Sequence, residues 1–317
     1  MPVNQFPHRA LPARFRRPRV LIIGCGDVGQ RIAGQLQRHA GTVHARGPRV
    51  MALTSSPDKV ASFRAQGITP LIGNLDEARS LRRLRGLAQH VVHMAPPPGL
   101  GTQDSRTAHL LRALGRGRLP RSLVYGSTTG VYGDCQGAWL DETQAVQPQT
   151  DRARRRVDAE QRVLRFGRRS GVRVQVLRIP GIYAPDREGG TPRTRLLKGL
   201  PVQQQTEDVF TNHIHADDLA NIAIAALWRG QPQRIYHASD DTELRMGDYF
   251  DLAADLYGLT RPPRVSRDEA QRSLPPMMLS FMRESRRLRN ARIKQELRVQ
   301  LRYPTVLQGL ASRAKPA

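Results

Sequence analysis

The stretch Arg19 to Gly34, RVLIIGCGDVGQRIAG, constrains the fold more than any other part of the 317-residue chain. Val20 to Ile23 is a short unbroken apolar run, as a strand buried on both faces of a parallel sheet requires. Gly24-Cys25-Gly26-Asp27-Val28-Gly29 follows at once, and Ile32, Ala33 and Leu36 then recur at helical spacing. Strand, G-x-G-x-x-G and helix in that order form the context in which the pattern cradles a dinucleotide. Gly24 permits the tight turn, Gly26 lets the backbone approach a pyrophosphate, and Gly29 lets helix and strand pack closely. The N–H groups where Asp27 and Val28 start the helix face the anion. The competing reading is a vestigial loop on the same fold.

Further apolar runs read as strands at Val50 to Leu53, Ile68 to Gly73, His90 to Ala95, Ser122 to Ser127, Val172 to Ile179 and Arg234 to Ala238. Helical patterns separate them, which implies parallel β-α-β units with right-handed crossovers. Pro96-Pro97-Pro98 cannot continue a central strand. From Glu243 the pattern changes to helices and irregular connections. Ser266 and Glu269 are spaced as a capping box. Arg283 to Arg298 reads either as a solvated helix face or as an anion-binding lid.

A site that prefers NAD usually ends its second strand on Asp or Glu, which holds the ribose 2′-OH. Here Thr54-Ser55-Ser56 stands there, with no acid between Asp27 and Asp58 and with Arg46 and Arg49 nearby. The expected cofactor is NADP, with NAD as the alternative.

Composition limits the remaining classes. No apolar run reaches the length needed to span a bilayer, and the basic first 18 residues lack the apolar region of a secretory signal. A disordered tail is expected there. Two cysteines are too few for a disulfide framework, which suits a cytoplasmic protein. The net charge of +24 would suit nucleic acid, but the arginines are spread along the chain and only 5% of residues are aromatic. Nucleic acid is therefore the weaker expectation, and an anionic small molecule fits the charge equally well.

Five stretches together resemble the extended and atypical short-chain dehydrogenase/reductases, the NAD-dependent epimerase/dehydratase family: GCGDVG at 24–29, VVHMA at 91–95, VYGSTTGVYGD at 124–134, LRIPGIYAP at 177–185 and NHIHADDLA at 212–220. The resemblance implies an α/β fold, a doubly wound parallel Rossmann sheet with a smaller, mainly helical C-terminal substrate-binding part. It divides the chain into a Rossmann domain of 19–180 plus 209–242 and a substrate part of 181–208 plus 243–310. It implies a cofactor set that adds Thr54, Ser55, Asn74, Leu75, Ala95 and Pro96 to the glycine loop.

The family's chemistry uses a Ser or Thr after the fifth strand and a Y-x-x-x-K on the next helix, with Tyr as general acid/base. Thr128 falls at the Ser/Thr position. Arg152 and Arg156 fall at the Tyr and Lys positions, and no tyrosine in the chain has Lys four residues on. A guanidinium stays protonated, so Arg152 cannot move a proton, whereas Arg156 can still supply charge to a ribose. Tyr132 and Tyr183 are the nearest replacement acids by motif position, or else packing residues. His213-x-His215-x-Asp217 has a zinc-hydrolase spacing, but Asp217 as a helix N-cap is the favoured reading and no metal is expected. The expected function is an NAD(P)-dependent oxidoreductase or epimerase/dehydratase-like enzyme on a small polar, sugar-like or nucleotide-linked substrate. The alternative is a catalytically silent NADP-binding sensor or scaffold.

Overall fold

The computed structural model describes residues 17–38, 47–275, 279 and 282–312. Seven strands form one parallel sheet: β1 (Arg19–Ile23), β2 (Arg49–Thr54), β3 (Thr69–Ile72), β4 (His90–His93), β5 (Ser122–Thr128), β6 (Arg173–Ile179) and β7 (Arg234–His237). Their spatial order is β7-β6-β5-β4-β1-β2-β3, so the chain reverses direction across the sheet between β1 and β4. A crevice at the carboxyl ends of the strands opens at such a switch point. Pro70 lies in β3, an edge strand, where its missing N–H costs no ladder bond. The fourth strand stops at His93, two residues short of the expected Ala95. There the backbone turns to run beside Gly24 and then into the three prolines.

Helices cover both faces. On one side α1 (Asp27–Arg38) and α5 (Ala216–Arg229) pack together over a core that includes Val20, Ile22, Val50, Val92 and Leu219. On the other, α3 (Ser105–Leu114) and α4 (Asp151–Ser170) cover Leu21, Ile23, Val91, Leu123 and Val174. Alternate residues of β1 thus enter opposite cores, as the period of two demands. A further helix, α2 (Lys59–Ala65), follows β2.

A separate apolar cluster marks the second part of the chain. Tyr183, Leu196, Val202, Tyr249, Phe250 and Leu310 belong to it, around α6 (Met246–Tyr257). Two-residue strand pairs brace this region, Val202–Gln203 against Arg264–Val265 and Phe210–Thr211 against Leu244–Arg245. The expected domain limits do not follow the packing throughout. Ile293, Leu297 and Val299 fall within 243–310 yet insert into the core beneath the sheet. Nearby, Arg234 of β7 forks onto Glu296, which also accepts from the Tyr236 hydroxyl at 3.0 Å.

Other local expectations change as well. Arg283 to Arg298 is neither one helix face nor a single lid. It contains the strand Arg287–Leu288, paired with Trp139–Leu140, and the five-residue helix Ala291–Gln295, with Leu288, Ile293 and Leu297 buried. The Ser266 hydroxyl accepts from the Glu269 N–H, giving half of the expected capping box, while Thr305 and Gln308 form a complete one. His215, not Asp217, caps α5, its Nδ1 accepting from the Asp217 N–H at 3.2 Å. Most of the basic tail lies outside the described residues. Arg17, assigned to that tail, is instead fixed, its Nε donating to the Gly47 carbonyl at 2.6 Å.

Just beyond β7, Asp240 is buried and one carboxylate oxygen has no hydrogen-bond partner. Burial pushes its pKa up to about 8, against about 3.9 when unfolded. The folded state therefore favours the neutral acid, and this contribution to stability is lost as pH rises from about 4 through about 8. Asp240→Asn is expected to raise unfolding free energy at pH 9 by roughly 2 kcal/mol and to change it little at pH 4. Urea unfolding at the two pH values checks this, and an equal effect at both would mean the carboxylate is solvated.

Candidate functional site

Two hollows open at the carboxyl ends of the central strands. The first, of about 370 Å³, lies beside the glycine loop, and seven of the expected cofactor residues line it: Gly24, Gly26, Thr54, Ser55, Asn74, Leu75 and Ala95. The three glycines do different work. Gly24 has φ +83°, and a Cβ there would lie 2.3 Å from the Ala95 nitrogen. At Gly29 a Cβ would lie 2.8 Å from the Gly24 carbonyl oxygen, so this residue sets the approach of α1 to β1. At Gly26 a Cβ would meet nothing within 4 Å. The fold does not need glycine at 26, whereas a phosphate approaching the N-terminus of α1 would.

Asp27, Val28 and Pro96 do not line this hollow. Asp27 opens α1 and turns its carboxylate to Arg31 at 3.1 Å, with the Arg187 Nε 3.4 Å from its other oxygen. Val28 packs on the core, and Pro96 gives its carbonyl to Arg106 at 3.3 Å. Cys25 is a buried filler whose thiol is pushed up to about 11 by desolvation.

Sequence reasoning missed several residues of the same hollow. Lys59 reaches it from the first turn of α2, beside Ser55. Asp76 reaches it from beyond β3, gripped by both ends of the Arg106 fork at 2.7 Å, which holds its carboxyl below the usual range. Arg49, offered as the cation for a 2′-phosphate, begins β2 and bonds Thr69 at 3.4 Å, so it stands at the wrong end of the strand. Arg46 lies outside the described residues.

The second hollow, of about 840 Å³, lies between the sheet and the C-terminal cluster, and Thr128, Arg152 and Tyr183 line it. The Thr128 hydroxyl caps a short turn by accepting from Gly130 at 3.3 Å. Arg152 and Arg156 sit on α4 one turn apart. Arg156 donates to the Tyr125 hydroxyl at 3.0 Å and the Gly126 carbonyl at 2.8 Å, which ties it to the end of β5. Arg187, Arg195, Lys198 and Arg286 add cations to the wall, and Glu284 is its one carboxylate among the described residues. Arg286 holds Glu284 at 2.8 Å.

Neither replacement tyrosine offers its hydroxyl to this hollow. Tyr132 is buried, and its oxygen accepts from Arg178 at 2.7 Å and meets His237 Nε2 at 2.6 Å. Desolvation pushes this phenol up to about 12, Arg178 opposing it. Tyr183 lines the hollow with its ring but donates its hydroxyl to the Thr305 carbonyl at 3.3 Å, and burial raises its pKa strongly. His213, also on the wall, is pushed down to about 3 by burial and stacks on Tyr249. His215 packs on Tyr303, and Asp217 pairs with Arg31 at 2.7 Å. No group of three His, Cys, Asp or Glu side chains among the described residues is placed to hold a metal.

With this geometry in place, residues 20–238 match the model of the NAD dependent epimerase/dehydratase family. The chain belongs to that family. A conserved protein of unknown function from Silicibacter pomeroyi is 31% identical, over 92% of this chain and 96% of its own, with a TM-score of 0.73. A UDP-glucose 4-epimerase from Thermotoga maritima, solved with UDP-glucose, gives TM-score 0.74 at 16% identity over 93% of this chain and 97% of its own. A double mutant of a dTDP-glucose 4,6-dehydratase from Streptomyces venezuelae, solved with NAD, gives TM-score 0.73 at 22% identity, over 93% and 95%. The last two show the shared Rossmann fold. No curated protein matches the sequence. No helix among the described residues is long and apolar enough to cross a membrane.

Proposed function

We propose that this family member is an NAD(P)-dependent oxidoreductase or epimerase/dehydratase-type enzyme acting on a small, polar, anionic substrate. The observation that carries the reading is the open space over Gly26, beside a second hollow walled by Thr128 and by cations. A nicotinamide dinucleotide bound there supplies a hydride acceptor or donor. In this reading the glycine loop holds the pyrophosphate, Asn74 and Leu75 flank the adenine, and Arg156 contributes charge toward the nicotinamide ribose. Arg152 anchors an acidic group of the substrate and Thr128 donates to its reacting oxygen. UDP-glucose and dTDP-sugar relatives make a nucleotide-linked sugar the first substrate class to test.

The test is a fluorescence titration with NADPH and NADH, followed by turnover across sugar nucleotides and small carbonyl compounds. Binding with turnover supports an enzyme. Binding without any turnover favours the silent sensor, a reading that rests on the two engaged tyrosine hydroxyls.

The cofactor preference follows from Lys59 and the acid-free end of β2. NADPH is expected to bind more tightly than NADH, and Lys59→Ala to narrow the gap by roughly 1 kcal/mol through loss of a charged contact to the 2′-phosphate. Titrations of the wild type and Lys59→Ala with each nucleotide check this, and equal losses for the two nucleotides would remove Lys59 from that role.

A further inference from the structure

Arg187 ties the wall of the larger hollow to the residue that follows Gly26. It lines the larger one, yet its Nε lies 3.4 Å from the carboxylate of Asp27, the residue directly after Gly26. Its Nη1 donates to the Ile182 carbonyl at 2.8 Å, so the guanidinium is carried on the loop that leaves β6. The preceding residue, Asp186, pairs with Arg31 of α1 at 2.8 Å. A loop from the substrate part is thus strapped by ion pairs to the helix behind the glycine loop.

Arg31 is shared among Asp27, Asp186 and Asp217, while Arg187 meets Asp27. A carboxylate at the start of α1 suits the helix dipole, and in the cofactor reading it lies one residue from Gly26, over which a phosphate approaches. Arg31 is already hydrogen-bonded to all three acids. The contact of Arg187 with Asp27 is looser, and the Asp27 Oδ2 it approaches is buried with no hydrogen-bond partner. An unsatisfied carboxylate oxygen beside a cation describes a pair held by charge alone, which a better anion can displace.

We propose that Arg187 is a phosphate ligand of the dinucleotide, exchanging Asp27 for the pyrophosphate when the nucleotide binds. The inference rests on the reading of the glycine loop as a cofactor site. Because Arg187 also walls the second hollow, nucleotide binding would draw the substrate loop onto the cofactor and complete that wall.

Two substitutions with opposite expected signs test it. Arg187→Ala should weaken NADPH binding about tenfold and flatten its dependence on salt, while Arg187→Lys should keep most of the affinity. Asp27→Asn should tighten binding severalfold, because it removes both the competitor and the repulsion. Thermal melting of each variant without nucleotide confirms that it is folded. If the ion pair only ties down the loop, Asp27→Asn and Arg187→Ala weaken binding together, and that overturns the proposal. Unchanged binding in Arg187→Ala overturns it too. Wild-type protein that binds neither NADPH nor NADH overturns the cofactor reading itself and is told apart before any variant is compared.

Discussion

Gly26→Asp is expected to abolish dinucleotide binding and leave the fold intact. A Cβ at this position would meet nothing within 4 Å, and Gly26 does not adopt a positive φ, so the folded chain has room for the new side chain. The carboxylate, however, would occupy the approach to the N-terminus of α1, where a like charge costs several kcal/mol. A loss of at least ~3 kcal/mol, about a hundredfold or more, is expected for both NADPH and NADH, with a melting temperature near that of the wild type. Gly24→Ala should do the reverse. At φ +83° with a Cβ 2.3 Å from the Ala95 nitrogen, its first effect is on stability. Titration and melting of the pair separate a glycine kept for a ligand from one kept for the fold. If Gly26→Asp binds NADPH normally, the glycine loop is not the nucleotide site.

The second large effect belongs to the buried polar chain behind the site. Arg178 on β6 forks onto Glu160 of α4, at 3.3 and 2.8 Å, and both side chains are about 5% exposed or less. Glu160 also accepts from the Ser127 hydroxyl at 2.5 Å, and Arg178 donates onward to Tyr132, which meets His237. Removing one charge strands the other in a low dielectric. Arg178→Ala should therefore destabilise the protein by roughly 3–5 kcal/mol. Arg178→Met combined with Glu160→Leu should recover much of that loss, since no unpaired charge remains. Urea unfolding of the single and double variants measures the difference. A single-variant cost below ~1 kcal/mol would place the pair with solvated surface bridges.

The sheet was legible because burial on both faces leaves continuous apolar runs, and each of the seven runs became a strand within one or two residues. The glycine loop was legible for a related reason: its constraints are local, and each falls on a named position. What the sequence hid arises from proximity in space. Asp76 and Arg106 are 30 residues apart, and nothing in either neighbourhood announces their pairing. Lys59 carried a signal that went unused, since the first turn after β2 borders the same hollow as Ser55. Arg49 misleads because nearness in sequence is not nearness in space: it begins β2, and a strand separates its two ends by its whole length. The tyrosines show the limit of motif position. Tyr132 and Tyr183 fall where a replacement acid would be sought, yet a hydroxyl's partners decide its role, and those partners come from residues 178, 237 and 305.

The return of the C-terminal segment to the sheet bears on how the chain is made. Ile293, Leu297 and Val299 fill the core beneath strands that are complete by His237, and Glu296 fastens the edge strand. A ribosome that has released the first 240 residues has delivered every strand of the central sheet and the two helices over this face, but not the apolar side chains of residues 293–299 that complete its core. That part of the core stays open to water and to other chains until some sixty more residues emerge. Completion of this core thereby waits on residues 293–299, and a chain cut before Ile293 would carry every strand of the central sheet and still lack that part of its packing.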